Sequence, residues 1–294
     1  MSAPVACILV NWNNWQDTAA CLASLRQQTY ANLTVIVVDN GSTDNSLTQL
    51  QAAHPPQGAI PITYIDNGSN AGFSRACNVG AAHAIASGPV DFLWFLNNDT
   101  IAPPDTLTKL IRTAAASPQA GIIGSVLYYF HAPQTVQAWG GGTVNRWSAY
   151  NTHFTAPATL GPNSYITFAS ALVRREVFQQ LGGLFEGAFM YFEDTDFSLR
   201  ARAAGWQLAV AADTAILHKE GGSSGSHNLR LDRMVTTSGL IFLTRHAPAP
   251  AIARALFIVS RIIKRIVLAK FSAVSAVVQG VADWRRQRSA PPPN

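Results

Sequence analysis

Four short apolar segments in the first hundred residues of this 294-residue chain restrict what it can fold into. They cover residues 5–10, 34–38, 62–65 and 92–96, and each is followed by residues with a polar turn or helical spacing. Strands of four to six residues that alternate with helices of about ten predict a parallel, doubly wound sheet. The sequence therefore predicts an α/β fold with a Rossmann-like, mostly parallel sheet flanked by helices.

Three of these segments end in a cluster of Asn, Asp and Gly residues. The clusters are Asp39-Asn40-Gly41, Asp66-Asn67-Gly68 and Asn97-Asn98-Asp99. One such cluster is ordinarily a turn, because these residues accept positive φ angles and form Asx-turns. Ligands of open parallel sheets bind beyond the carboxyl ends of the strands, so three clusters at one edge indicate a shared site.

The first two clusters suit a nucleotide. The Asp39 carboxylate can accept hydrogen bonds from a nucleobase or from ribose hydroxyls. Asn70, Gly72 and Asn78 lie in and beyond a Gly-containing loop that enters a helix, which suits contact with an anion or a nucleotide. No G-x-G-x-x-G follows a predicted strand and no P-loop lysine is present, which weakens the dinucleotide and ATPase hypotheses.

Asp99 suits a metal ion. Mg²⁺ or Mn²⁺ takes one or two carboxylates together with phosphate oxygens of a substrate. His218, in the sequence ILHKEGGSS, follows another apolar segment and is a candidate second ligand. A lone histidine is more often structural, so both roles stay open for His218.

The sequence MYFEDTDFSLRARAAGW concentrates Glu193, Asp194 and Asp196 within four residues. A helix that starts at Asp194 places Asp196 in its first turn, where an acidic side chain interacts favourably with the helix dipole. That structural role accounts for Asp196, but less well for the other two. The preceding FMYF would partly desolvate Glu193 and Asp194 and raise at least one carboxyl pKa, as a general base requires.

The second half of the chain is less regular. Residues 131–165 are rich in Gly, Pro, Ser and Thr and contain Gly140-Gly141-Gly142, which predicts an irregular insertion or an acceptor-facing loop region. Residues 166–174 and 208–212 are predicted strands, and residues 176–181, 194–204 and 228–246 predicted helices. The closing SAPPPN is predicted to be disordered.

Charge is distributed unevenly along the chain. Apolar residues make up 48% and charged residues 13%, which argues against disorder. Residues 251–294 carry a net charge of +7, so the preceding 250 residues carry −2. A nucleic-acid-binding body is therefore not expected. Three cysteines without paired spacing, no basic region before the first apolar run and no uncharged run of about 20 apolar residues predict a cytoplasmic chain without a transmembrane helix.

Seven stretches in this order resemble the family 2 glycosyltransferases, especially the bacterial rhamnosyltransferase-like members. The stretches are ILVNWNNWQDTAACLASLRQQTY, VIVVDNGSTDNS, NAGFSRACNVG, FLNNDT, LVRREVFQQLGG, YFEDTDFSLRARAAG and HKEGGSS. They span residues 5 to about 225. The resemblance implies an A-type glycosyltransferase fold with a nucleotide-sugar-binding half (residues 1–100), an acceptor-binding and catalytic half (101–227) and C-terminal helices (228–294).

The resemblance also implies a role for each matching residue. Asp39 would bind the base of a nucleoside-diphosphate sugar. The residues implied around the nucleotide are Asn11, Asn40, Asn70, Gly72, Phe73 and Asn98. Asp99 and His218 would hold Mg²⁺ or Mn²⁺ at the diphosphate, with Asn97 replacing the first Asp of the D-x-D motif.

The implied reaction is one displacement with inversion. Asp194 would deprotonate the acceptor hydroxyl, and Glu193 would orient the base or the acceptor. Where relatives commonly have G-G-F-D-E, this chain has Gly182-Gly183-Leu184-Phe185-Glu186, which indicates an altered acceptor rim. The donor is expected to be a dTDP- or UDP-sugar that carries rhamnose or a similar hexose.

The basic tail predicts an amphipathic helix. At about 100° per residue, Arg254, Arg261 and Arg265 fall on one face with Lys264 at its flank. The apolar residues that gather opposite them are Ile252, Leu256, Val259, Ile263 and Val267. Such a helix fits an anionic membrane surface, and the alternative is a packed or dimer-seam helix with solvated arginines.

A membrane-bound helix would suit a lipid-linked glycan acceptor in surface polysaccharide synthesis, with the chain peripheral at the inner face of the cell membrane. Two other functions are weighed against transfer. A sugar nucleotidyltransferase would need Gly and Lys or Arg after the first strand, and NWNNWQD has none of these. A membrane-associated sugar-nucleotide-binding protein without transfer activity would not need the Glu193-Asp194 pair.

Overall fold

The computed structural model describes residues 2–219 and 229–289. The strands are β1 (Val5–Asn11), β2 (Leu33–Asp39), β3 (Ile62–Asp66), β4 (Phe92–Leu96), β5 (Thr100–Ile101), β6 (Ala120–Tyr129), β7 (Ala132–Trp139), β8 (Gly141–Asn145), β9 (Tyr150–His153), β10 (Ser164–Ile166), β11 (Ser170–Arg174) and β12 (Gln207–His218). The helices are α1 (Trp15–Leu25), α2 (Ser46–Ala53), α3 (Phe73–Ser87), α4 (Thr106–Ala116), α5 (Arg175–Gln180), α6 (Glu193–Ala203), α7 (Leu229–His246), α8 (Pro250–Val267) and α9 (Phe271–Ser289).

One mixed sheet forms the centre of the molecule. In the described ranges it contains nine strands in the order β3-β2-β1-β4-β11-β6-β12-β5, with β7 also paired to β6. Six of them (β1, β2, β3, β4, β6 and β12) run in one direction, and β5, β7 and β11 run in the other. The predicted α/β fold, with a mostly parallel sheet flanked by helices, is confirmed.

The first strand shows why the sheet is covered on both faces. Val5, Cys7 and Leu9 pack with α1, α2 and α4, whereas the alternate residues Ala6 and Ile8 pack with α3, α5 and α6. A strand that is buried on both faces is apolar along its whole length rather than at every second residue. For that reason the four apolar segments of the sequence were recognisable, and all four are strands.

The centre of the sheet was only partly predicted. No strand is predicted at β6. Two glycines interrupt its apolar run AGIIGSVLYY, and glycine ordinarily indicates a turn. Residues 166–174, predicted as one strand, form the end of β10, a turn and β11. Strand β12 continues past the predicted residue 212 to His218.

The prediction of an irregular segment at residues 131–165 is wrong. This segment forms β7, β8 and β9, and β10 closes a second, three-stranded sheet in the order β10-β8-β9. The glycines serve close strand pairing. A Cβ added to Gly141 would lie 2.0 Å from the Tyr165 carbonyl oxygen, and one added to Gly142 would lie 1.9 Å from that of Thr152. Glycine therefore permits these strands instead of interrupting them.

The last three helices pack on α6. Leu240, Leu243 and Phe257 join Leu199 of α6 in a third apolar core. The predicted helix at 228–246 is α7. Residues 220–224 of the HKEGGSS stretch and residues 290–294 of the predicted disordered end lie outside the described residues. No helix within residues 2–219 or 229–289 has both the length and the apolar character needed to cross a bilayer.

Helix α8 directs two of its arginines toward α7. Arg261 Nη2 lies 3.0 Å from Asp232 Oδ1, and Arg265 Nε lies 3.1 Å from Asp232 Oδ2. Both interpretations of this segment placed its arginines against headgroups or water, which is wrong for Arg261 and Arg265. The predicted apolar face is confirmed and is the outer one. Its residues Ile252, Leu256, Val259, Ile263 and Val267 are 53–77% exposed.

We expect the Gly142→Ala variant to lower the free energy of unfolding by about 1–3 kcal/mol, because the added methyl group must push β8 and β9 apart. Urea denaturation measures this change. The matched control is Gly161→Ala, since a Cβ at Gly161 would meet no atom of the described part of the chain within 4 Å. Equal stabilities of the two variants would contradict the close-packing role of Gly142.

Candidate active site

The carboxyl ends of β1, β2 and β4 are joined by one chain of side-chain hydrogen bonds. Asn98 Nδ2 donates to Thr18 Oγ1 at 2.7 Å, and Thr18 Oγ1 donates to Asn11 Oδ1 at 2.6 Å. Asn11 Nδ2 then donates to Asp39 Oδ1 at 2.8 Å. The strand register supports this arrangement, because Asn11 of β1 lies opposite Asp39 of β2. The structure thus brings the clusters at residues 39–41 and 97–99 to one edge of the sheet.

Asp39 is fixed by its surroundings. Asp39 is only 3% exposed. Its carboxylate also accepts hydrogen bonds from Ser42 Oγ at 2.5 Å and from the Ser42 N–H at 3.1 Å. Asn11 has no exposed surface, so it holds Asp39 from behind instead of facing the crevice. A carboxylate has about four lone-pair sites, so Asp39 Oδ2 retains acceptor capacity toward a ligand.

The second and third strand ends are tied together by asparagines. Asn40 Nδ2 donates to Asn70 Oδ1 at 3.0 Å and to the Gly72 carbonyl oxygen at 3.3 Å. Asn40 Oδ1 accepts from Asn67 Nδ2 at 2.9 Å. Asn40 is itself 3% exposed. The loop that leads into α3 is therefore held against the end of β2.

Gly72 and Phe73 connect this loop to the segment that precedes α6. Gly72 has φ of +94°, and a Cβ on it would lie 2.5 Å from the Phe189 carbonyl oxygen. The Phe73 N–H donates to the same oxygen at 3.0 Å. Only glycine combines this backbone conformation with so close an approach. Residues Gly72 and Phe73 consequently lie beside the loop that delivers Glu193 and Asp194.

Asp99 and His218 are neighbours because β5 and the end of β12 pair. His218 lies opposite Thr100 in this antiparallel pairing. His218 Nε2 is 3.2 Å from Asp99 Oδ1, and both side chains are largely buried. Asn97 Nδ2 lies 3.3 Å from the same His218 nitrogen. The predicted metal ligands Asp99 and His218 are thus brought together, with Asn97 beside them.

The His218 ring is oriented by Gln137 of β7. His218 Nδ1 lies 2.8 Å from Gln137 Oε1. A hydrogen bond donated by Nδ1 to this oxygen would leave Nε2 available to a metal ion that Asp99 also binds. A hydrogen bond of this kind is the usual support of a histidine that binds a metal.

The separation of the two donor atoms fits a divalent cation. Adjacent ligands of an octahedral Mg²⁺ ion, each at about 2.1 Å, lie about 3 Å apart. The distance from Asp99 Oδ1 to His218 Nε2 is 3.2 Å. A carboxylate and an imidazole suit Mn²⁺, and a carboxylate with substrate oxygens suits Mg²⁺.

Glu193 and Asp194 form the first turn of α6, and a short turn connects them to the metal-ligand candidates. Asp194 accepts a hydrogen bond from the Phe168 N–H. The next residue, Ala169, accepts one through its carbonyl oxygen from the Asn97 N–H at 3.0 Å. The turn between β10 and β11 therefore separates Asp194 from the Asn97–Asp99 cluster and holds both in place.

Burial raises the pKa of both carboxyl groups. Loss of solvent, followed by the neighbouring Asp194 charge, raises the pKa of Glu193 from 4.5 to about 8. Burial also raises the pKa of Asp194. Hydrogen bonds from Thr195 and the electrostatic effect of the nearby His153 oppose this rise. Glu193 Oε2 is shielded from solvent and has no hydrogen-bond partner among residues 2–219 and 229–289. The expected increase in carboxyl pKa is confirmed. Asp194 receives more hydrogen bonds from the protein than Glu193 does.

Asp196 links α6 to α7. Burial by itself would raise the pKa of Asp196, but His246, Arg200 and Arg245 hold it at about 2. Asp196 Oδ1 lies 2.8 Å from Arg245 Nε and 2.7 Å from His246 Nε2, while Oδ2 lies 2.7 Å from Arg200 Nε. Arg245 and His246 of α7 thus fix the orientation of the helix that carries Asp194, which adds to the predicted dipole role of Asp196.

Three residues near the site were not identified from the sequence. Gln137 of β7 contacts His218, and His153 of β9 lies close enough to Asp194 to lower its pKa. Both fall in the segment that was expected to be irregular. Thr18 connects Asn98 to Asn11. No signal in a single sequence distinguishes a threonine of this kind from the other polar residues of an amphipathic helix.

Phe185, in the segment predicted to form the acceptor rim, packs against α7. The guanidinium of Arg245 lies 3.8 Å from the centre of the Phe185 ring, within the range of a cation–π interaction. Because Arg245 also binds Asp196, Phe185 contacts the same α7 cation that holds α6.

Residues 6–182 match the sequence model of the family described as Glycosyl transferase family 2. An N-acetylglucosaminyl-diphospho-decaprenol L-rhamnosyltransferase of Mycobacterium tuberculosis is 29% identical over 231 residues, which cover 69% of this chain and 72% of the relative. The O-antigen biosynthesis protein RfbC of Myxococcus xanthus is 28% identical over 75% of this chain and 18% of its own length.

Solved structures share the fold. The mannosyltransferase PcManGT of Pyrobaculum calidifontis, in complex with GDP-Man and Mn²⁺, has a TM-score of 0.60 at 18% identity and covers 99% of this chain and 77% of its own. TarS of S. aureus (residues 1–349), in complex with UDP-GlcNAc, has a TM-score of 0.61 at 15% identity and covers 97% and 81%. These structures are A-type glycosyltransferases, so the fold predicted from the resemblance is confirmed.

We expect Glu193→Gln to flatten the dependence of stability on pH. In the wild type the native state holds the Glu193 proton more tightly than the unfolded state, so the free energy of unfolding falls as pH rises from about 4.5 to about 8. Glutamine has no such proton. Urea denaturation across this pH range should therefore show that the free energy of unfolding of the variant increases relative to that of the wild type as pH rises.

The control for this measurement is Glu176→Gln, because Glu176 is exposed on α5. A constant difference between Glu193→Gln and the wild type at every pH would contradict the burial of the Glu193 proton.

Proposed function

We propose that this chain, which belongs to glycosyl transferase family 2, is an inverting, metal-dependent glycosyltransferase. It moves rhamnose or a similar hexose from a nucleoside-diphosphate sugar to a hydroxyl of a glycan acceptor. One observation carries the proposal: hydrogen bonds link Asp39, the Asn97–Asp99 cluster and Asp194 along one edge of the sheet.

In this proposal the Asp39 side binds the nucleoside. Uracil and thymine each present an imide N–H, which is a suitable donor to the remaining lone pairs of Asp39, so the donor is a dTDP- or UDP-sugar. Asn70, Gly72 and Phe73 line the same crevice, and Asn98 adjoins it. Asn11 and Asn40 are positioning residues, since their amides are engaged within the protein.

Asp99 and His218 would hold Mg²⁺ or Mn²⁺, with Gln137 keeping the His218 lone pair in position. A bound divalent cation would neutralise the charge that develops on the departing diphosphate. The structural relatives in complex with Mn²⁺ support this use of a metal. Asn97, which replaces a carboxylate, would act as a hydrogen-bond donor beside His218.

Asp194 would be the base. Its raised pKa and its position on the far side of the 167–169 turn suit removal of a proton from an acceptor hydroxyl. The acceptor oxygen then attacks the anomeric carbon from the face opposite the diphosphate, and the single displacement inverts the configuration. Glu193, which stays protonated near neutral pH, lets Asp194 carry the negative charge of the pair.

The acceptor is proposed to be lipid-linked. The Mycobacterium tuberculosis relative is named for a decaprenol-diphosphate acceptor, and RfbC is named for O-antigen biosynthesis. These names support a role in surface polysaccharide synthesis. The proposed location of the chain is the inner face of the cell membrane. Binding of sugar nucleotide without transfer is the alternative, and an active wild-type enzyme would exclude it.

The outer face of α8 is proposed to lie in the membrane surface. Ile252, Leu256 and Ile263 are each more than half exposed on this face. Lys264 is exposed on the same helix, and Lys270 is exposed three residues beyond its last residue. Between Asp232 and Asp283 the sequence has no acidic residue. An apolar face with exposed lysines beside it is complementary to anionic lipid, whereas the lysines of two copies would repel each other.

We expect Asp194→Asn and Asp99→Ala to separate chemistry from donor binding. Asp194→Asn should abolish sugar transfer, by about 10²-fold or more, and leave donor affinity intact, because only the proton acceptor is lost. Asp99→Ala should weaken donor binding in Mg²⁺ or Mn²⁺ and not in EDTA. Calorimetric titration with dTDP- and UDP-sugars, together with a transfer assay, measures both effects.

Each of these variants is the control of the other. Full transfer by Asp194→Asn would remove this residue from the role of base. Donor affinity of Asp99→Ala equal to that of the wild type in both metal and EDTA would contradict the metal site.

We also expect the double variant Leu256→Ser/Ile263→Ser to lose about tenfold or more in binding to phosphatidylglycerol vesicles, because each exposed side chain contributes up to about 1.5–3 kcal/mol when buried in lipid. Vesicle flotation measures the binding. Tyr150→Ser removes an exposed ring outside α8 and is the control.

Neutral phosphatidylcholine vesicles should bind the wild type less well. Unchanged flotation of the double variant would contradict membrane binding by α8. A wild-type dimer that the double variant dissociates, measured by light scattering, would identify the face as a dimer interface instead.

A further inference from the structure

A cavity of about 410 Å³ lies between α7 and the end of α9, apart from the residues discussed above as the donor site. Its described lining includes Arg230, Arg233 and Arg286 and one acidic side chain, Asp283. Phe189 and Met234 add apolar surface. A concave site with an excess of two positive charges and an apolar wall suits an anionic group attached to a hydrocarbon chain.

The arginines differ in what they do for the fold. Arg233 binds Asp283 through two nitrogens, with Nε at 2.5 Å and Nη2 at 2.9 Å, and so joins α7 to α9. Arg286 contacts the same carboxylate from its own helix, yet its side chain is 71% exposed. Arg230 is exposed in the first turn of α7. Arg230 and Arg286 can therefore be changed without removing the bidentate pair.

The cavity adjoins the candidate active site through one loop. Phe189, in its wall, accepts the hydrogen bond of the Phe73 N–H through its carbonyl oxygen. Ser238, also in the wall, donates to the carbonyl oxygen of the next residue, Met190, at 2.6 Å. Met190 is three residues before Glu193. A molecule in the cavity would thus sit beside both the donor loop and the loop that leads to the catalytic pair.

We propose that this cavity binds the diphosphate of the lipid-linked acceptor. The inference rests on the proposed function, since it supplies a site for the acceptor of that reaction. The donor diphosphate has its own metal-assisted site at Asp99 and His218. Guanidinium groups bind a phosphate without a metal, through charge-assisted and bidentate hydrogen bonds, so the two diphosphates would be held by different chemistry.

The experiment uses the full chain and farnesyl diphosphate as a short probe, titrated calorimetrically in EDTA so that no metal supports binding at Asp99. We expect the wild type to bind, and Arg230→Ala and Arg286→Ala each to weaken binding at least about tenfold. Arg285→Ala is the matched control. It removes the same charge from the neighbouring residue, which does not line the cavity.

Two further measurements keep the outcomes distinct. Farnesyl diphosphate should protect Arg230 and Arg286 of the wild type from labelling by phenylglyoxal, detected by mass spectrometry. Inorganic pyrophosphate should bind more weakly than farnesyl diphosphate. Equal binding by all variants, or pyrophosphate binding as tight as that of farnesyl diphosphate, would overturn the acceptor assignment.

Hydrolysis of dTDP- and UDP-sugars without acceptor tests the proposed function separately. If the wild type hydrolyses a donor but does not bind farnesyl diphosphate, the cavity assignment fails and the proposed reaction stands. If no donor binds or is hydrolysed, the proposed reaction itself fails.

Discussion

The hydrogen-bonded chain Asn98–Thr18–Asn11–Asp39 is the interaction on which the rest of the structure depends. Parallel strands bring their carboxyl ends to one edge, but they do not by themselves fix the side chains there. A buried amide such as that of Asn11 is stable only when its donor and acceptor are both satisfied. The hydrogen bonds that satisfy the Asn11 amide hold the Asp39 carboxylate at the end of β2 and the Asn98 amide beyond β4 in one rigid unit. The Asp99 site lies beside this unit.

The carboxylates in and behind this crevice have different surroundings and therefore different chemical roles. Asp39 accepts hydrogen bonds from donors on β1 and in its own turn, and Asp99 faces an imidazole. Glu193 and Asp194 are instead desolvated, so one proton is retained between them near neutral pH. Asp196, two residues later on the same helix, is surrounded by cations and remains ionised. Environment, not residue type, decides which of these groups accepts a proton.

Much of this arrangement could be predicted from the sequence, and the reasons for the rest are physical. Strands buried on both faces are continuous apolar runs, so β1 to β4 and the polar clusters after them were recognisable. Strand β6 was not recognisable, because the glycines that permit its close packing also occur commonly in turns. The small sheet was missed for the same reason, and with it Gln137 and His153. The orientation of α8 was also not predictable, since periodicity defines two faces but not which one meets Asp232.

The contacts of Asp196 limit which C-terminal helices can be joined to the rest of the chain. The carboxylate binds the Arg200 guanidinium of its own helix and the side chains of Arg245 and His246 at the far end of α7. The C-terminal helices therefore cannot be exchanged for those of an unrelated protein as an independent module. A chimaera that supplied a different tail would leave a buried anion with a single counter-charge directly behind the base, unless the new tail carried basic side chains at equivalent places.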